Sequence, residues 1–289
     1  MKNSGILALL LGAAFRVLTV PTSSSVPPVS TASGSADQER YVIPNLRNAC
    51  RILKLLGTQP DGLKAADLAR TLGVPVTTTL RIMATLTIEG LVRKVDGRFE
   101  LGPILIQLGN AALAGTEVRE LAIPVLQSLT GATDETSHLA IPCDERALIV
   151  AVQDSHHPLR ATSRPGFLAD LHCSATGKVL LAFLYLDRIE SVLAKPAPGR
   201  RTAHTLVSPR DLRREAEATR RRGYSLDNEE FSLGVRCLAA PVFSAGGHCV
   251  AAVGITASTL RFTEERVPEL AEKVRAAAAD LSAKLGYPG

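Results

Sequence analysis

Between Lys64 and Leu101 two helix-period segments meet at a tight turn, and two strand-period segments follow at once around Asp96-Gly97. Few folds accept that order in so short a span. Upstream, Leu46, Cys50, Leu53 and Leu56 are spaced 4, 3 and 3, the stripe of an amphipathic helix that Gly57 ends. Gln59-Pro60-Asp61-Gly62 reads as a turn. A second helix is expected from about Lys64 to Leu72, with Leu63, Leu68 and Leu72 inward and Gly73 at its end. Pro75 suits the first turn of a third helix, where its missing N–H would be unpaired anyway. That helix carries Leu80, Met83, Leu86 and Ile88 inward as far as Gly90. Leu91–Val95 and Arg98–Leu101 then alternate across a hairpin turn. Three helices and a hairpin over residues 41–103 make a winged helix-turn-helix, whose third helix enters the DNA major groove N-terminal end first. Val76, Thr77, Thr78, Thr79 and Arg81 are the expected base- and phosphate-facing residues on that helix, with Arg93, Lys94 and Arg98 on the wing along the backbone.

Charge supports the same segment. Residues 41–103 hold nine Lys/Arg against five Asp/Glu, whereas residues 104–289 hold 21 of each sign. Nearly all of the net +5 therefore sits on one small region, as expected for a polyanion reader joined to a neutral partner domain. Aromatic residues are 4% of the chain and Trp is absent, so the cores must be aliphatic.

Residues 104–116 read as a linker helix, with a joint at Gly115-Thr116, and a further helix places Val118, Leu121, Val125 and Leu129 inward. Pro124 should kink it. Short runs at 138–142, 146–152, 236–243 and 249–257 read as strands, interleaved irregularly with helices at 174–186, 209–222 and 264–285. The whole is α+β rather than a regular βαβ array.

At this point the chain resembles the isocitrate lyase regulator (IclR) family of bacterial transcription factors, over about residues 42–286. The resemblance rests on LARTLGVPVTTTLRIMATLTIEGLV, RFELG, LHCSATGKVLLA (171–182), RRGYSLDNEEFSLGVRCLAAPVF (221–243) and VAAVGIT (250–256), in that order. It implies a GAF-like α/β effector-binding domain over 117–289, with a small-molecule pocket on one sheet face. It also implies a homodimer or dimer of dimers on a palindromic double-stranded DNA operator, a cytoplasmic location, and action more often as a repressor. The resemblance carries the pocket onto the loop Gly166, Phe167 and Leu168, whose amides can meet a carboxylate, and onto Asp227, Cys237 and Thr256. A hydroxyl residue of the family falls at Gly254 here, and Val76 stands where a basic residue is common. The segment Leu105–Thr130, with Gly115 and Pro124, is the expected transmitter between ligand and DNA.

Other readings of the same residues carry less. Ser174-Ala175-Thr176-Gly177-Lys178 imitates a phosphate loop, but His172 and Val179 stand where that motif needs Gly and Ser or Thr. Ser174 capping a helix, with Gly177 allowing close packing, is the simpler account. Cys237 with Asp227 and His172 resembles a nucleophile with base and orienter, so an enzyme is the alternative function, but no oxyanion element accompanies them. Adjacent His172 and Cys173 chelate one ion poorly, so no metal, cofactor or catalytic residue is expected. The arginines at 213, 214 and 220–222 read as a solvated helix face with i,i+4 pairs. Residues 1–40 read as a disordered or mis-assigned extension, with a signal-like run at Ile6–Phe15 too short to span a bilayer.

Overall fold

The computed structural model describes residues 41–114, 117–194 and 197–289. The expectations for residues 1–40 and for the Gly115-Thr116 joint lie outside them.

Helices α1 (Pro44–Leu56), α2 (Ala65–Leu72) and α3 (Val76–Ile88) precede the hairpin β1 (Val92–Val95) and β2 (Arg98–Leu101). The chain turns by 118° between α2 and α3. Gly73 makes that turn possible with φ +65°, a left-handed conformation costly for other residues, and the amide of Val74 closes it on the Ala69 carbonyl at 3.0 Å. Val95 pairs with Arg98, so Asp96 and Gly97, both at positive φ, are the two turn residues of a tight hairpin. A bridge from Leu63 to Phe99, invisible in the sequence, adds a third short strand to the wing.

The apolar phase of two helices differs from the sequence reading. In α1 the buried residues are Ile52 and Leu56, while Leu46 and Cys50 are exposed. In α3 the buried face is Thr79, Ile82, Met83 and Leu86, leaving Leu80 and Ile88 outside. Leu56, Met83 and Leu86 are buried as expected, but Ile52, Thr79 and Ile82 complete the true stripes in place of Leu46, Cys50, Leu80 and Ile88.

Helix α4 (Ile104–Ala114) precedes α5 (Glu117–Thr133). Pro124 lies inside α5 without ending it, and faces solvent, where water can take the carbonyl that proline leaves unpaired. There follow β3 (Thr136–Cys143), β4 (Arg146–Gln153), β5 (Leu168–Ala169), α6 (Ala175–Leu184), α7 (Ile189–Ala194), α8 (Pro209–Arg222), β6 (Ser225–Asn228), β7 (Val235–Phe243), β8 (Cys249–Ser258) and α9 (Val267–Lys284). The six strands form one antiparallel sheet in the order β5-β4-β3-β8-β7-β6.

Strand alternation divides the core. Leu139, Leu238, Ala240, Val253, Ile255 and Ala257 point to the face covered by α5 and α9. Ala140, Ile149, Ala239 and Ala252 point to the face covered by α6, α7 and α8. Phe262 is the one Phe within the first of these two clusters, so burial is mainly aliphatic, at roughly 25 cal/mol per Å². Ser174 does cap α6, accepting from the Gly177 amide at 3.1 Å. Gly177, however, is required by the segment before the helix rather than by the sheet: a Cβ there would stand 2.3 Å from the Asp170 carbonyl oxygen.

Candidate DNA-reading surface and effector cavity

The outer face of α3 carries Val76, Thr77 and Arg81 exposed, with Thr78 half-buried. Thr79 does not belong with them. It is fully buried, and its hydroxyl donates to the Pro75 carbonyl at 3.1 Å, so it stabilises the helix start instead of facing DNA. Leu80, Ala84 and Thr85 share the exposed face and were missed. On the wing, Arg93 forks onto Glu100 at 2.9 and 3.1 Å, and Arg98 donates to the Gly62 carbonyl at 3.1 Å. Lys94 lies over the Phe99 ring and is exposed. Phosphate contact by the two arginines therefore competes with partners already present.

On the sheet face toward α6 a cavity of about 380 Å³ opens. Its floor is a cross-strand row: Asp227 on β6 is registered opposite Cys237 on β7, which is registered opposite Thr256 on β8. The Cys237 thiol donates to the Thr256 hydroxyl at 3.1 Å. One Asp227 oxygen accepts the amides of Glu230 and Phe231 at 2.8 and 3.2 Å. Burial nevertheless pushes the Asp227 carboxyl up from 3.8 to about 6, against the pull of Lys178 and of those amides. Burial, followed by the Asp227 charge, raises the Cys237 thiol well above its ordinary value. A protonated thiol is the opposite of an activated nucleophile.

Four of the seven expected pocket residues line this cavity: Phe167, Asp227, Cys237 and Thr256. Gly166, Leu168 and Gly254 do not. The amide of Gly166 donates to the Ile149 carbonyl at 2.8 Å and that of Phe167 to the Arg164 carbonyl at 3.1 Å, so neither is open to a carboxylate. Gly254 lies beneath the imidazole of His138, its partner in register on β3; a Cβ there would come within 3.3 Å of the His138 Nε2. His138, Arg164, Thr176 and Phe231 line the cavity and were missed. A signal existed for His138, which shares the period of Ala140 on a strand already recognised.

Below the floor, Lys178 is almost fully buried and donates to the Leu226 carbonyl and to Glu230 at 2.5 Å, with Glu215 at 3.8 Å. The lysine of the rejected phosphate-loop reading thus anchors the 226–230 segment that presents Asp227. The arginines of α8 pair beyond their own turn: Arg213 with Glu190 of α7, Arg220 with the Ala182 carbonyl, Arg222 with Glu215 seven residues away. Ligand atoms of Asp170, His172 and Cys173 lie within 4.8 Å of one another. Their chemistry fits a metal poorly, because Asp170 is held by Arg146 and Arg201 and the thiol is pushed up to about 12, chiefly by burial.

Residues 46–96 match the IclR helix-turn-helix domain, and residues 110–283 match the C-terminal domain of bacterial transcriptional regulator IclR. The chain belongs to the IclR family. The Escherichia coli transcriptional repressor IclR is 30% identical over 91% of this chain and 95% of its own length. The solved Thermotoga maritima IclR is 31% identical with TM-score 0.64, covering 84% of this chain and 99% of that one. An IclR homologue from Microbacterium hydrocarbonoxydans, solved with 4-hydroxybenzoate, is 25% identical with TM-score 0.70, covering 83% and 98%. As an IclR-family protein, the chain is a DNA-binding transcriptional regulator with a helix-turn-helix followed by a mixed α/β domain.

Proposed function

We propose that this IclR-family protein is a cytoplasmic repressor that holds a palindromic operator as a homodimer or dimer of dimers and responds to a small organic acid. The reading rests above all on the cavity over Asp227, Cys237 and Thr256, which sits in the same chain as the exposed face of α3. Arg164 and the first turn of α6, both in the cavity wall, supply positive charge and amides without intrahelical acceptors for a carboxylate. The related homologue solved with 4-hydroxybenzoate, a carboxylic acid, supports that ligand class. The protonated Cys237 thiol favours a binding role over an enzymatic one.

The test is fluorescence anisotropy with duplex DNA from upstream of the protein's own gene. Log affinity should fall linearly with log salt, and an organic acid that raises the melting temperature should change operator affinity. Salt-independent binding, or ligand binding that leaves operator affinity untouched, would refute the scheme.

A further inference from the structure

The cavity floor is rich in acceptors and poor in cations. Asp227 presents a carboxyl, and the Cys237 proton is already given to Thr256. At the β3 side the floor ends in His138, 5% exposed, whose Nδ1 has no hydrogen-bond partner among the described residues. An orphaned buried nitrogen is costly, and native structures keep one for a reason. Gly254 is required first by the neighbouring strand, because a Cβ there would stand 2.5 Å from the Leu238 carbonyl oxygen and 3.1 Å from the Ala239 Cβ. The missing Cβ also leaves the imidazole uncrowded, at 3.3 Å from that position. Burial lowers the ring's pKa to about 4, so at neutral pH it offers one donor and one acceptor without charge. The cation, Arg164, belongs to the 161–167 segment, whose Gly166 and Phe167 are bonded to β4.

Resting on the effector reading above, we infer that His138 is an effector contact and that the cavity takes a hydroxylated organic acid. The carboxylate meets the side of Arg164, and a hydroxyl meets the floor, where His138 and Asp227 can each accept its proton. A second carboxylate on the floor would be repelled by Asp227 and would find no cation in the neutral imidazole. An acid lacking the hydroxyl would bring the imidazole no hydrogen-bond partner.

The experiment uses the full chain and two probe pairs, 4-hydroxybenzoate with benzoate and 4-hydroxybutyrate with butyrate, in titration calorimetry. Wild type should bind the hydroxylated member of at least one pair about tenfold more tightly. His138→Leu, which keeps bulk over Gly254, should bind both members of that pair alike. His138→Asn, which keeps a donor and an acceptor, should retain part of the preference and guards against a folding defect in the first variant. Unchanged discrimination in both variants would overturn the role of His138 while leaving the effector reading intact. Failure of all four probes to bind wild type would overturn the organic-acid reading itself.

Discussion

Replacing Asp227 by Asn should make this regulator more stable at neutral pH, although it removes a group from the cavity. The carboxyl is 1% exposed, and its pKa is raised by burial from 3.8 to about 6. A raised acid binds its proton more tightly folded than unfolded. The stability it contributes is therefore fully present below about pH 3.8 and is lost as pH climbs through about 6. The ratio between those values corresponds to about 3 kcal/mol, at about 1.4 kcal/mol per tenfold. Asn keeps an oxygen to accept the Glu230 and Phe231 amides and carries no charge. At pH 7.5 Asp227→Asn should thus gain about 3 kcal/mol, or roughly 6–12 °C in melting temperature for a domain of this size. The gap should close by about pH 4. Urea unfolding of both proteins at several pH values between 4 and 8 measures it. A variant no more stable than wild type at pH 7.5, or a gap that persists in acid, would refute the reasoning.

Three further outcomes follow from other sites. Arg81→Ala should weaken operator binding and lower the salt slope by about 1, whereas Thr79→Val should leave the slope unchanged and cost about 1 kcal/mol of stability; anisotropy titrations across salt, with urea melts, check both. Lys178→Met should destabilise by roughly 3–5 kcal/mol because Glu230 and the Leu226 carbonyl lose a buried partner, and adding Glu230→Gln should recover much of it. Gly177→Ala forces a methyl against the Asp170 carbonyl and should cost at least 2 kcal/mol by chemical unfolding, with no change in unliganded operator affinity.

Periodicity and turn chemistry were enough to read the winged helix-turn-helix, and the four long strands were recoverable to within about two residues, because β-branched runs bounded by turn residues are local signals. What failed was phase and partnership. Thr79 was misplaced because a threonine is polar in composition but can satisfy its hydroxyl on the preceding turn and pack as Val would. The two-residue β5 and the four-residue β6 carry too few residues to show a period. That β8 lies between β3 and β7 is a non-local choice, so the contact of His138 with Gly254 could not be anticipated although both residues were in plain view. The Gly166 and Phe167 amides were assigned to a ligand because only coordinates reveal that the neighbouring backbone already uses them.

Side chains on a strand alternate, and β3 makes that alternation mechanical. His138 faces the cavity, while its neighbour Ser137 reaches the opposite side of the sheet, 2.8 Å from the Thr130 hydroxyl and 2.9 Å from the Leu126 carbonyl of α5. A single peptide unit therefore joins a side chain that lines the cavity to one that is hydrogen-bonded to the helix on the other face. Any shift that a ligand at His138 imposed on this strand would reach α5 through hydrogen bonds one residue away.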